Sequence, residues 1–270
     1  MITRNSFLIV LLACLTACAS TRPEVFYPVY IQTADVPDTF LASFPNTRAK
    51  VYSEDNRSRR LSMRLQLPRD WSFVAGAAPN KTIEIYVLEG ELTLGEFDLG
   101  PGGYAYLPSG SMGVSMSSVE GALLLYFIDD VQPGAIIQTP IISNSNLLEW
   151  RAESDAIEAF GISTKEMRLD PGSGARTWLL KVEPGAVQDW QKASNTQEGF
   201  MLSGDYHHVE CAAHGPVRGD YTAGGYFLRP ANAINGGPES VAAQTTVWLM
   251  RVPNHASYTR NLYCGITNPE

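Results

Sequence analysis

The chain has 270 residues, 44% hydrophobic and 18% charged, with a formal net charge of −8 and a pI near 5.1. That length allows one large or two ordinary domains, and the apolar share is enough for a real core and excludes a disordered chain. The acidic balance excludes the basic stripe of a nucleic-acid-binding protein and names no partner.

Residues 1–17 carry one early cation, Arg4, followed by the apolar run FLIVLLACL. Nine residues are too few to cross a bilayer, which takes about 20, and the layout is that of a secretory signal. The run ends in Leu15-Thr16-Ala17-Cys18, which resembles the bacterial lipobox. That resemblance implies cleavage before Cys18, lipidation of Cys18, and a mature protein anchored in the bacterial envelope. Ala19 and Ser20 follow in place of an Asp, so the outer membrane, facing the periplasm, is expected. Cys211 and Cys264 then remain as an even pair in an oxidising compartment, where a disulfide is the default, with two buried thiols as the alternative.

Residues 18–27 form a short tether. From about Val51 the chain breaks into alternating runs: LSMRLQL (61–67), TIEIYVLEGELTL (82–94), ALLLYFI (122–128), TWLLKV (177–182), GFMLSGDYHHVEC (199–211) and TTVWLMRV (245–252). Gly, Pro, Asn or Asp bound each one, the pattern of a β-sandwich or barrel. A helix is expected only over NLLEWRAES (146–154). VLEGEL (87–92) recurs as MLSGDY (201–206) at an offset of 114, and GGYAYLPSG (102–110) recurs as GGYFLRPAN (224–232) at an offset of 122. The second copy therefore holds an eight-residue insertion near VECAAHGPVRG. Two copies of one all-β unit follow, over residues 28–140 and 141–265.

EIYVLEGEL (84–92) resembles the first motif of the cupin superfamily. Gly102, Pro108 and Gly110, repeated as Gly224 and Pro230 with Asn232 in the last place, resemble the second motif. DPGSGARTWLLKVEPG (170–185) is similar to the strand that opens a ChrR-like cupin domain. The resemblance implies an all-β chain of two tandem cupin jelly-roll barrels, a bicupin, and only through that resemblance a homodimer. It also implies a divalent metal held by three His and a Glu, but this sequence departs from that set throughout. In the first copy the places fall on Ala77, Pro79, Ile83 and Gly113. In the second they fall on Gln191, Ala193, Gln197 and Asn235. Amide oxygens are weak neutral ligands, so no metal and no other cofactor is expected.

The first barrel is expected to be filled, with Ile83, Tyr86 and Leu88 as core. The second keeps Gln191, Gln197 and Asn235, which both donate and accept hydrogen bonds. Trp178 and Trp190 are candidate walls, and Arg176 or Arg229 a candidate partner for an anionic group. These seven residues are the candidate site for a small polar ligand; amides satisfying one another are the structural alternative. His208, Glu210 and His214 are weighed as a relocated metal site against a solvated hairpin, and the hairpin is favoured. Glu84, Glu89 and Glu91 are read as a solvated strand face. No nucleophile elbow, catalytic triad or phosphate-cradling loop is present. The expectation is a binding protein. A cupin-type enzyme, metal-dependent at a non-standard site or metal-free, and a purely structural module are the competing classes.

Overall fold

The protein is described by a computed structural model over residues 31–55, 57–152, 161–186, 188–212 and 215–264. The signal segment, Cys18, the tether and His214 lie outside the described residues. Among the described residues no helix is long and apolar enough to cross a membrane.

All the expected runs are strands. LSMRLQL lies in Arg60–Leu67, and the long 82–94 run splits at Gly90 into Lys81–Gly90 and Leu92–Leu94. Its second-copy counterpart splits at Gly204 into Gln197–Ser203 and Asp205–Ala212. Gly90 and Gly204 turn with φ of 72° and 94°, the left-handed region that a side chain resists. Gly110 and Asn232 hold the same turn position with φ of 80° and 64°. Asn tolerates this conformation better than most residues, which explains how the second copy replaces the usual Gly.

The described strands form four antiparallel sheets. In the first half, six strands from Arg48–Asp55 to Ile141–Asn144 face a four-stranded sheet built on Trp71–Ala75 and Val114–Ser118. In the second half, a seven-stranded sheet centred on Thr246–Val252 faces a smaller one centred on Asp205–Ala212 and Ile234–Gly236. Each pair of sheets closes one barrel. Two strands cross the seam between the halves. Ile31–Gln32 pairs with Gly225–Arg229 of the second barrel, and Ile141–Asn144 pairs with Gly103–Leu107 of the first. Where a helix is expected over 146–154, residues 146–152 form only a 3-10 turn at Ser145–Leu147 and the strand Arg151–Ala152, and 153–154 lie outside the described residues. The chain there is drawn out to pair with Ser163 and Thr164, which leaves no room for helical turns.

The first barrel is packed solid. Met63, Leu65, Ile85, Val87, Leu92 and Leu124 are completely buried in its interior. Strand alternation sends Ile83, Ile85 and Val87 inward, while Glu84, Tyr86 and Leu88 face the other barrel. This corrects two expectations, since Tyr86 and Leu88 do not line the first barrel and Glu84 is not solvated. Glu84 is 2% exposed and sits at the seam between the barrels, because both faces of the Lys81–Gly90 strand are covered. Its carboxylate accepts from Arg168 (2.8 Å), Arg251 (3.0 Å), Tyr104 (2.6 Å) and Thr177 (2.5 Å). Burial alone would raise its pKa, but the two guanidinium groups together with the bonds from Thr177 and Tyr104 outweigh burial and hold it at about 2. The same pattern recurs 114 positions on, where Glu198 accepts from Tyr226 (2.8 Å) and Arg251 (2.6 Å). The seam is thus built by the repeat itself, with aromatic rings such as Tyr52, Phe200 and Tyr226 packed around the charges.

Candidate functional site

The second barrel is not filled. It holds a cavity of about 660 Å³ that opens to solvent, within the range of small-ligand sites. Six of the seven candidate residues reach it: Arg176, Trp178, Gln191, Gln197, Arg229 and Asn235. Trp190 does not line the cavity. It neighbours Gln191 on a strand, so it points the other way, and its ring lies over Gly237.

The polar end of the cavity is a buried network around Arg229, which is 4% exposed. Arg229 Nε and Nη2 donate to Glu210 at 2.9 and 2.7 Å, and Nη1 donates to Gln197 Oε1 at 2.9 Å. Nη2 also lies 2.8 Å from His208 Nε2. Glu210 Oε1 lies 3.0 Å from the same nitrogen, so His208 Nε2 donates to the carboxylate in one tautomer and accepts from the guanidinium in the other. Burial lowers the His208 pKa, with Glu210 opposing and Arg229 adding to the shift. Burial by itself would raise Glu210, yet Arg229 and then His208 hold its carboxyl at about 2. The guanidinium lies 4.3 Å over the Phe227 ring.

This corrects the solvated hairpin. His208 is 6% and Glu210 2% exposed, both on the inward face of Asp205–Ala212, while His207 on the opposite face pairs with Asp220 at 2.6 Å. It also corrects the role offered for Arg229, whose charge is committed to Glu210. Sequence comparison between the copies held the missed signal: Tyr206 and His208 fall on Leu92 and Leu94, which are buried in the first barrel.

Aromatic rings adjoin this network, with Tyr206 and Phe227 beside the His208 ring at 5.6 and 6.5 Å. Trp248 meets Tyr221 and Tyr206 edge-on at 5.2 and 6.1 Å, and Phe227 packs 5.4 Å from it. The Tyr206 hydroxyl is buried and has no hydrogen-bond partner among the described residues, and burial raises its pKa well above the ordinary phenol range. A third wall comes from the C-terminal segment, through Ala256, Tyr258 and Arg260. Gln197 Nε2 donates to Tyr258 Oη at 3.2 Å, and Leu262 N–H donates to Trp190 O at 3.0 Å. The segment ends at Cys264, which forms a disulfide with Cys211 at a Cα–Cα distance of 5.5 Å.

A cupin-type divalent metal does not fit these donors. Gln197 Oε1 already accepts from a guanidinium, whose charge would repel a cation. Asn235 directs its amide nitrogen at the carbonyls of Gln191 and Ala233, at 3.4 and 3.3 Å. Among the described residues no three His, Cys, Asp or Glu side chains cluster as ligands.

A family model described as "Domain of unknown function (DUF4437)" matches residues 46–259. The chain belongs to that family. Solved structures share the fold of this DUF4437 chain. One is a Nostoc punctiforme protein provisionally called a dioxygenase (TM-score 0.66, 19% identity, 87% of each chain covered). Another is protein Ylba of E. coli, with family model DUF861 (0.65, 16%, 84% of this chain and 90% of that one). A third is a variant of Bacillus subtilis oxalate decarboxylase (0.61, 15%, 86% and 79%). At such identities the likeness shows the cupin-type fold alone. No curated protein matches the DUF4437 chain in sequence.

Proposed function

We propose that this DUF4437 chain is a lipid-anchored envelope protein whose second barrel binds a small molecule without a metal. The observation that carries the binding part is the contrast between a solid first barrel and a 660 Å³ cavity in the second. Small barrels fill their interiors unless a ligand-sized space is kept. The anchoring part rests on the Leu15-Thr16-Ala17-Cys18 motif, and homodimerisation on the cupin resemblance. A second reading, an enzyme acting without a metal, draws on the buried His208 and Glu210 beside the cavity. Arg229 holds both of them, which favours a binding role.

The test is a thermal-shift screen of a small-molecule library on the full chain in detergent, beside a Leu180→Trp variant that fills the cavity from the strand Arg176–Val182. A compound that stabilises the parent and not the variant supports the pocket; no such compound sinks it. Near one equivalent of transition metal in protein purified without chelator would sink the metal-free part. A Cys18→Ala chain that still sediments with membranes would sink the anchor.

A further inference from the structure

We propose that the second-barrel cavity takes an uncharged, ring-bearing molecule with hydroxyl or amide groups, and that it discriminates against carboxylates. This rests on the pocket reading above.

The first argument is charge. Three guanidinium groups line the cavity: Arg176, Arg229 and Arg260. Three carboxylates balance them. Glu210 is bonded to Arg229 at 2.7 Å, Glu166 pairs with Arg176 at 3.2 Å, and Asp189 stands on the lining itself. His208 is shared between Arg229 and Glu210, at 2.8 and 3.0 Å, and burial disfavours its charged form. An entering anion therefore meets no excess positive charge, yet it must shed its hydration, a cost that only an uncommitted partner offsets. Arg176 stacks on Trp178 at 4.5 Å, and its Nε, 3.2 Å from Glu166, makes no hydrogen bond among the described residues.

The second argument is shape and surface. Rings from Trp178, Tyr206, Tyr221, Phe227 and Trp248 line the cavity and adjoin Arg229, which lies 4.3 Å over Phe227. A flat ring gains most from such walls through offset and edge-on packing. Towards the solvent-reached side, Gln188 and Gln191 add neutral amides, which both donate and accept. Hydroxyl and amide groups match that chemistry without introducing a charge. A cavity of about 660 Å³ is also far larger than a two-carbon dicarboxylate requires.

The test is calorimetric titration of the full chain in detergent with benzamide, benzoate, glucose and oxalate. Benzamide is expected to bind at least about ten-fold more tightly than benzoate, because a buried unpaired charge is costly. Glu166→Gln lies at a half-exposed pair, so it leaves the fold intact and releases the Arg176 charge. It is expected to strengthen benzoate by about two- to five-fold and to leave benzamide unchanged. Benzoate or oxalate binding the parent as tightly as benzamide or glucose, with binding lost in Leu180→Trp, overturns the ligand class and leaves the pocket standing. If none of the four binds while a library compound does, the class falls alone. If no library compound binds either, both readings fall.

Discussion

Ile83 pairs with Leu107 in the first barrel, and Gln197 pairs with Arg229 at the same ladder position of the second. Leu92 and Leu94 of the first are likewise replaced by Tyr206 and His208. On the other face of those strands the copies agree: Glu84 with Tyr104, and Glu198 with Tyr226, make the same hydrogen bond. A strand's two faces are independent because side chains alternate, so one interior changed while the seam and the turns did not. The change needed a counter-ion as well. The insertion lengthens the second copy's hairpin, turning the three-residue strand Leu92–Leu94 into the eight-residue Asp205–Ala212. That longer strand carries Glu210, the carboxylate that neutralises Arg229.

The largest effect should come from breaking this exchange. Arg229→Ala leaves Glu210 buried without its cation and should cost about 3–5 kcal/mol. Leu107→Ala at the matching place should cost about 2–5 kcal/mol through a cavity alone. The two differ in rescue. Removing Glu210 as well should recover part of the Arg229→Ala loss, and no second truncation should recover Leu107→Ala. Urea melts of the single and double variants decide this. Replacing Gln197, His208, Glu210 and Arg229 together by Ile, Leu, Leu and Leu should give a second barrel as stable as the parent, since apolar replacement of a buried ion pair is often neutral or stabilising.

The disulfide separates the barrels next. The described residues place it only in the second, where it ties the C-terminal wall of the cavity to the strand that bears Glu210. Replacing Cys211 and Cys264 together by Ser should lower stability by about 2–4 kcal/mol. It should also let trypsin cut at Arg260 under conditions where the oxidised parent resists. An unchanged cleavage pattern would mean that pairing with residues 192–193 holds the wall by itself.

The fold was legible because each of its signals is local. Period-two alternation marked the strands, Gly90 and Gly204 marked the hairpins, and GGY…P marked the second turn. The positions of Gln191, Gln197 and Asn235 in the cavity were legible for the same reason, the first two being fixed by register from Gly204 and the third from Gly224. Glu84 and His208 were misjudged because a single copy reads as polar alternation, and a polar residue facing another barrel looks the same as one facing water. Only long-range packing distinguishes the two. Comparison with Leu94 would have placed His208 inside. Glu84 had no such clue, since its counterpart Glu198 is also charged. The network around Arg229 was illegible because its carboxylate lies in the insertion, where the repeat offers no template.

Acid should distinguish His208 from the buried carboxylates by window. His208 has a folded pKa below its ordinary 6.5, so it binds a proton more readily in the unfolded chain. Its contribution is complete above about pH 6.5 and is lost as pH falls below that value towards the lower folded pKa. Glu84 and Glu210 have folded pKa values of about 2 against an ordinary 4.5. Their contribution is complete above pH 4.5 and fades as pH falls from there towards 2. Melting temperature should therefore decline gently between pH 7 and 5 and steeply below 4.5. His208→Leu should abolish the gentle decline only. A decline that persists in that variant would place the titrating group elsewhere.

The smallest effect separates two buried phenols. Tyr104 donates to Glu84 at 2.6 Å, so Tyr104→Phe loses a bond to a charged acceptor and should cost about 1.5–3 kcal/mol. Tyr206 has no hydrogen-bond partner among the described residues, so Tyr206→Phe loses none and removes a desolvated hydroxyl. It should be neutral or stabilise the ligand-free chain by up to about 1 kcal/mol. Melting temperatures of the two variants, compared with the parent in one buffer, are enough to decide. A clear loss in Tyr206→Phe would mean that the hydroxyl is bonded in solution and the aromatic wall of the cavity is wet. The difference between the barrels would then extend to the one place where Leu92 and Tyr206 still share an apolar setting.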